Sequence, residues 1–552
     1  MSSFFRTVNR KALSYSLTTA LLAAMSTPLH AEQEFWEYEM QPGDNVWKIA
    51  HEMLTDWRAW KEITQLNNVS NDRLMAAGTT LRIPRSLVKT RNAEVDLLTV
   101  SGEVQIQRNG SSTREALTDS LALAEGDRLL TSANSSALIE FEDKSKVLLT
   151  PDSELVIKRS SVIGAQRKVI DINVELAEGE AEIRANPNKT DNSRFIIETP
   201  SAFATTRGTV YRVRAAGDET AAEVTQGKIE VGNAVGSRYI PQSYGVITQK
   251  DAPIQPPKKL LDAPQLPALG TVRYLPAKLQ WDKINGAVAY RSQVSEGETF
   301  NSLVLDSIGP ANKANLPVAL ADGVYWLRVR GADSEGLQGN ERIAQFTIDA
   351  RPFPPVIQKP RTKDKLYSGP VDFIWTEPEG ADNYRFELAA DEAFTKIVTT
   401  TTVSDTSLTL EQVQEGNYFW RVTSITDEGK VGPAGYSTAI NVKPVPKTPE
   451  LAEPSIGEDQ ISLAWQPDPN TQYFQLQIAS DKAFENIIVD TRSDSADAEI
   501  QKPEPGSYYM RVRGFDNDNY AGAWTSPQKI DVPIENFLPM ILWGIFSVAI
   551  FL

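Results

Sequence analysis

Few side chains in this 552-residue chain are suited to catalysis. There is no cysteine, which excludes thiol nucleophiles, disulfides and cysteine-ligated metal. Two histidines occur, His30 and His51. His30 falls in a leader that is read below as removable, so His51 alone would remain. A Ser-His-Asp arrangement or a multi-histidine zinc centre has almost nothing to be built from. His51 is read as a surface residue of a short helix. Acidic residues number 72, so a two-carboxylate glycosidase is formally allowed, but no constellation singles out a pair. Asp516-Asn517-Asp518-Asn519 has the oxygen content of a calcium loop. It falls where sister segments have Asp333-Ser334-Glu335-Gly336 and Asp427-Glu428-Gly429-Lys430, so a hairpin turn is expected instead. Arg207-Gly208-Thr209 is read as a turn that needs glycine for positive φ rather than as a binding loop. The expectation is a chain with no catalytic residue, no metal and no cofactor.

The strongest local pattern lies between residues 38 and 84. It opens with Tyr-Glu-Met-Gln-Pro-Gly-Asp-Asn-Val-Trp-Lys-Ile-Ala and closes with Ala-Gly-Thr-Thr-Leu-Arg-Ile-Pro. Pro42-Gly43-Asp44 breaks a short strand and turns the chain. Asp44 is placed to cap a helix with apolar Val46, Trp47, Ile49, Ala50 and Met53. Trp57, Trp60, Ile63 and Leu66 suit a second helix, and Leu81 and Ile83 alternate as a closing strand should. Trp47 is expected in the core. The segment resembles a LysM module, a βααβ unit that holds N-acetylglucosamine-containing glycans. The resemblance implies a peptidoglycan ligand and a groove between the first turn and the loop after the second helix. Gly43, Asp44, Asn45, Val46, Asn68, Val69 and Leu74 would flank the sugar there, which would meet mainly backbone amides and carbonyls. The family usually shows Thr-Leu where this chain has Asn45-Val46, and a single module implies weak, avidity-dependent binding.

Residues 1–31 read as a secretory signal peptide. Arg6, Arg10 and Lys11 precede a mostly apolar stretch to Met25, and Leu29-His30-Ala31 ends it with an imperfect cleavage motif. Losing those three positive charges takes the net charge from −16 to −19. So acidic a chain disfavours nucleic acid and anionic lipid as partners. An exported protein without disulfides must stabilise each domain by packing.

Residues 94–250 read as an all-β domain. Ala137, Ile139 and Phe141, then Val147 and Leu149, then Ile170, Ile172 and Val174 keep period two between Gly, Asp and Ser turns. Glu125-Gly126-Asp127, Phe141-Glu142-Asp143-Lys144-Ser145 and Leu176-Ala177-Glu178-Gly179-Glu180 are expected turns. With Thr199-Pro200-Ser201-Ala202-Phe203 through Val213 and Val224 through Val231, they resemble a FecR domain, with Lys144 where that family tends to have glycine. Named FecR proteins couple ligand-loaded outer-membrane transporters to a sigma factor. That role needs a cytoplasmic segment and a central transmembrane helix, whereas here a leader and a LysM-like unit precede the domain.

The C-terminal half repeats. Trp281, Trp375 and Trp465 are 94 and 90 residues apart, and each precedes a Gly-x-Tyr strand by 43 or 44 residues, at Tyr325, Tyr418 and Tyr508. Between them come Tyr290, Tyr384 and Tyr473, then Phe300, Phe394 and Phe484. The pattern resembles three fibronectin type III or related immunoglobulin-like sandwiches, in which a buried Trp packs on an aromatic-rich strand. Prolines cluster before each unit, and stiff linkers with an elongated string of beads are expected.

The fold class expected is therefore mainly β and multidomain: a small βααβ LysM module (35–86), an all-β FecR-like domain (94–250) and three tandem β-sandwiches (266–350, 355–443, 449–533). An apolar tail at 536–552 is read as a short membrane anchor. Its last sixteen residues, Phe537 to Leu552, carry no charge and would reach about 24 Å as a helix against a hydrocarbon core of roughly 30 Å. The functional expectation is a non-enzymatic protein of the periplasm or cell envelope. Its partners would be peptidoglycan, other envelope proteins and, through the tail, the inner membrane. A FecR-type transmembrane signalling regulator is the first alternative and a peptidoglycan hydrolase the second.

Overall fold

The computed structural model describes residues 34–534 except 72–74, 165–167, 189, 207 and 467. The leader, Leu74, Arg207 and the apolar tail lie outside the described residues. The protein is mainly β. The described residues divide into two compact units: one within 34–269, 278–314 and 325–346, the other within 270–277, 315–324 and 347–534.

In the first unit, strand β1 (Phe35–Glu39) pairs antiparallel with β2 (Thr80–Pro84). Helices α1 (Val46–Met53) and α2 (Trp60–Leu66) lie between them in the chain. Alternation decides what is buried. Trp36 and Tyr38 of β1 and Leu81 and Ile83 of β2 face one core, joined by Val46, Ile49, Ala50 and Met53 of α1 and Ile63 of α2. Trp57 belongs to a short 3₁₀ turn, Trp57–Ala59, rather than to the second helix. Leu66 is exposed.

Among the described residues, eighteen strands between Thr90 and Lys259 pair in a closed ring. The two longest are Ser153–Ile163 and Val169–Arg184. Residues 176–180, expected as a turn, lie inside the second of these strands. Up to Glu178 it pairs with Ser153–Ile163, and from Gly179 it pairs with Val210–Ala216. Gly179 is the corner where the strand changes sheets. Its φ is +88°, and a Cβ there would sit 2.2 Å from the Ser153 hydroxyl oxygen. Lys144, at the position the FecR family gives to glycine, takes a left-handed conformation with φ 66°. Gly208 has φ +73°, and a Cβ would meet the Pro187 backbone at 2.5 Å, so the tight turn itself requires that glycine.

The LysM-like unit is not separate from this β domain. Ile163 and Val169 complete its hydrophobic core. Buried Asp171 accepts hydrogen bonds from Arg85 at 2.5 Å and Arg159 at 2.9 Å. Asn192 pairs with the main chain of Glu39 in both directions, at 2.6 and 3.0 Å. Nor does the proline-rich stretch before the first sandwich hold it apart. Leu260 packs with Ala221 and Leu337. Phe300 and Leu303 of the sandwich pack on Leu138 and Leu148 of the β domain. The string-of-beads expectation fails within this unit, because apolar and charged side chains that a linker would leave in water are buried against each other.

In the second unit, residues 357–443 form one sandwich. Its smaller sheet contains Gly369–Trp375, and its larger sheet contains Asn383–Ala389 and Gly416–Ile425. Residues 455–532 repeat the plan with Gln460–Ala464, Tyr473–Ala479 and Gly506–Phe515. Trp375 meets Tyr384 edge-on at 5.8 Å. Trp465 meets Phe474 at 5.4 Å, so Phe474 rather than Tyr473 is the third core partner. The first repeat keeps the same contact between Trp281 and Tyr290 at 5.9 Å.

Two further features recur in every repeat. Phe300, Phe394 and Phe484 all have positive φ, and each lies under an arginine: Arg328, Arg421 and Arg511, at 4.4, 4.0 and 4.1 Å. The turn ending the Gly-x-Tyr strand closes with an N–H to carbonyl bond four residues on, from Asp333, Thr426 and Asp516. Thr426, not Asp427, is therefore the counterpart of Asp516. The Asp516 carboxylate accepts from the backbone N–H of Asp518 and of Tyr520, as a turn side chain does.

Candidate glycan-binding site

The first turn of the LysM-like unit is built around a buried carboxylate. Asp44 accepts from the Tyr38 hydroxyl at 2.6 Å and from the Gln41 N–H at 2.9 Å, which closes the turn across Pro42 and Gly43. Asp44 does not cap α1. That role falls to Asn45, whose side-chain oxygen accepts from the Lys48 N–H at 2.8 Å. Gly43 is exposed, with φ +84°. The Val46 side chain is fully buried and Asp44 is 5 % exposed, so a ligand on this turn would meet Gly43, Asn45 and main-chain groups.

The second loop begins where Asn67 ties α2 to β2. Its amide donates to the Ile63 and Arg82 carbonyls and accepts from the Arg82 N–H, at 2.8, 2.8 and 2.7 Å. Asn68 follows in a left-handed conformation, φ 52°, and is exposed. Val69 is half-buried against the core. The far end of this loop reaches the first turn. Met40 donates to the Thr79 carbonyl at 2.9 Å, and Gly78 donates to the Met40 carbonyl at 2.8 Å. The structure thus joins the end of the second loop to the base of the turn that carries Gly43 and Asn45.

One surface escaped the sequence reading. Trp47 is not core; it is 51 % exposed. His51, also exposed, lies 4.3 Å from the Trp47 ring and stacks on Trp57 at 4.8 Å, with Arg58 over the far ring. The result is an exposed run of three rings along α1 and the turn after it. The signal was present in the helical period: positions 46, 49, 50 and 53 take the buried face, which leaves 47 and 51 together on the opposite one.

Among the described residues, no group of three or more His, Asp or Glu side chains is arranged to hold a metal ion, and no helix is long and apolar enough to cross a membrane.

Residues 38–84 match the LysM domain family and residues 127–230 the FecR protein family. No curated protein matches the chain. Similar solved structures include a candidate anti-sigma factor from Parabacteroides distasonis, 18% identical over 24% of this chain, TM-score 0.20. The chain spans 59% of the length of that protein. The chicken CNTN1 FN1–FN3 domains are 14% identical, with 46% of this chain and 93% of that one covered, TM-score 0.23. The fibronectin(III)-like modules of Clostridium thermocellum CbhA are 15% identical, with 32% and 93% covered, TM-score 0.21. These likenesses are too weak to carry any argument about this chain. The first match falls on the βααβ unit and the second within the closed β domain: the chain carries a LysM domain followed by a FecR domain.

Proposed function

We propose that this is a non-enzymatic cell-envelope protein. In this reading its LysM domain holds N-acetylglucosamine glycan of peptidoglycan, and its FecR and sandwich domains bind or space other envelope proteins. The LysM match over residues 38–84 carries the glycan reading. Exposed Gly43 and half-exposed Asn45, on a turn linked through Met40 to the end of the second loop, support its location. LysM and FecR are binding and regulatory domains, and both are typical of envelope proteins. The module boundaries 35–86, 94–250, 266–350, 355–443 and 449–533, the leader at 1–31 and the anchoring tail at 536–552 belong to the same proposal.

Titration with a chitooligosaccharide, read by NMR on protein labelled at Gly and Asn, is the test. The Gly43, Asn45 and Asn68 signals should move together, and saturating sugar that moves none of them would defeat the assignment. A clearing band on a peptidoglycan gel would replace the non-enzymatic reading with a hydrolase. The FecR match favours a second reading, a signalling regulator. A sigma factor crosslinked to the protein in cells would select it.

A further inference from the structure

The first sandwich shows how a face of this repeat binds a partner sheet. Two arginines two residues apart on one strand, Arg328 and Arg330, are buried against Glu182 of the FecR domain. Arg328 donates to both carboxylate oxygens at 2.8 and 2.7 Å, and Arg330 donates to one at 2.9 Å. Glu180, two residues before Glu182 on the same strand, takes Arg291 at 2.6 Å. Gln293 supports both arginines through its amide oxygen and donates to Asp306 at 2.9 Å. At the edge, Leu303 and Phe300 pack on Leu138 and Leu148. The face recognises a strand carrying Glu-x-Glu, flanked by aliphatic side chains.

The third sandwich repeats that face position by position. Strand register pairs Gln477 with Arg511 and Asp490 as it pairs Gln293 with Arg328 and Asp306, and it places Gln475 opposite Arg513 as Arg291 stands opposite Arg330. Gln477 again accepts from the first arginine, at 2.7 Å, and donates to the aspartate, at 2.8 Å. Ile487 stands three residues after Phe484, as Leu303 does after Phe300, but it is 41 % exposed where Leu303 is buried. Trp524 takes the place of Glu341 and lies 4.4 Å from both Arg511 and Arg513.

The second sandwich breaks the pattern. Thr423 replaces the second arginine, and Glu387 already accepts from Arg421 at 2.8 Å. In the third, both arginines are half-exposed and held by glutamine oxygens rather than carboxylates. Asp490 accepts from both Gln475 and Gln477, as Asp306 accepts from Arg291 and Gln293 in the first repeat, where Glu180 and Glu182 dock nonetheless.

We infer that this face of the third sandwich, centred on Arg511, Arg513 and Trp524 with Ile487 at its edge, is a docking site for a second protein that presents a β-strand with two carboxylates two residues apart beside an aliphatic side chain. The fork of each guanidinium suits such a carboxylate, and arginine beside tryptophan is the composition of an energetic centre of an interface. The local pair of guanidinium charges favours carboxylates by charge complementarity at the contact itself. This goes beyond the glycan reading and does not depend on it.

The probe is a disulfide-cyclised hairpin that joins residues 146–150 to residues 180–184 in their native register, so that it carries Glu180, Glu182 and Leu148. Its binding to the full chain is read by fluorescence anisotropy, with a hairpin bearing Glu180→Gln and Glu182→Gln as control. The glutamate hairpin should bind at least about tenfold more tightly than the glutamine one, and less well as salt rises. The chain with Arg511→Gln and Arg513→Gln should lose that difference, while Arg421→Gln should keep it. Equal binding of the two hairpins to the unaltered chain, or no binding of either, overturns the proposal without any variant. Undiminished binding to the Arg511→Gln/Arg513→Gln chain overturns it as well. Should that chain fail to fold, Trp524→Ala gives the same reading, with loss of the difference expected.

Discussion

Gly43 illustrates how much of the LysM turn rests on one backbone conformation. Its φ is +84°, and nothing lies within 4 Å of where a Cβ would be. Substitution would therefore not clash; its cost would come from the left-handed backbone alone. Gly43→Ala should destabilise the LysM domain by about 1–2 kcal/mol in urea unfolding followed by tryptophan fluorescence. A change indistinguishable from zero would mean that the turn relaxes freely. Glu182 makes a second residue-scale case. Burial opposes its ionisation, but the charges of Arg328, Arg330, Arg291 and Arg212 outweigh burial and hold its carboxyl well below the usual range. A depressed carboxyl contributes stability above its unfolded value, near about pH 4.3, and loses it as pH falls through the folded one. Glu223 has the opposite sign. Burial raises it, Arg212 opposes and Glu180 reinforces, so its protonation on acidification adds stability. Glu182→Gln should lower stability at neutral pH and flatten the loss of stability below about pH 4.3. An unchanged acid limb in the variant would show that Glu182 is not the group responsible.

At the scale of elements, Asn67 does what no hydrophobic contact does here: it fixes the end of α2 against β2. Three hydrogen bonds run through one amide, to Ile63 and to both main-chain groups of Arg82. Asn67→Ala leaves the Arg82 N–H and carbonyl to water, while the Ile63 carbonyl keeps the backbone N–H of residue 67, and should cost about 0.5–1.5 kcal/mol. Hydrogen exchange of the Arg82 amide should accelerate with it, and unaltered exchange there would remove Asn67 from that role. The sandwiches hold by a different device. In the second, Trp420 is fully buried and lies within 6.5 Å of Phe373, Trp375 and Phe386 ring centres. The same position is Leu327 in the first repeat and Met510 in the third, both fully buried. One position with three different volumes explains why the repeat is legible through its Trp and Gly-x-Tyr spacing and not through identity of the core.

At the scale of the first unit, docking of the LysM domain depends on Asp171. It is almost fully buried and receives both Arg85 from the LysM side and Arg159 from its own sheet. Removing a buried carboxylate leaves two partly buried guanidinium groups without it, which is far worse than never having had the pair. Asp171→Ala should raise hydrogen exchange across residues 35–54 and 85–92 while leaving residues 357–532 unchanged. Protection equal to the unaltered protein in the LysM segment would mean that the apolar contacts of Ile163 and Val169 suffice.

The chain's local chemistry was legible from the sequence alone. The LysM and FecR segments stood out because short turn motifs at set spacing are properties of neighbouring residues. The three sandwiches stood out because a period of about ninety residues survives in Trp, Phe and Gly-x-Tyr. The lack of cysteine and near-lack of histidine bounded the chemistry in the same direct way. Tertiary structure alone decided what the outward faces do. Glu180 and Glu182 alternate with Ala181 and Ile183 along one strand, and charged side chains on the face away from the core would ordinarily meet water, yet all four are buried. Their partners, Arg291, Arg328 and Arg330, lie more than a hundred residues away, and no local pattern reports a contact at that separation. Trp47 failed in the opposite direction: an apolar residue reads as core until the helix is seen to turn its other face inward. The Gly179 corner likewise read as a turn, because a glycine between charged residues looks the same whether the chain reverses or one long strand passes from sheet to sheet.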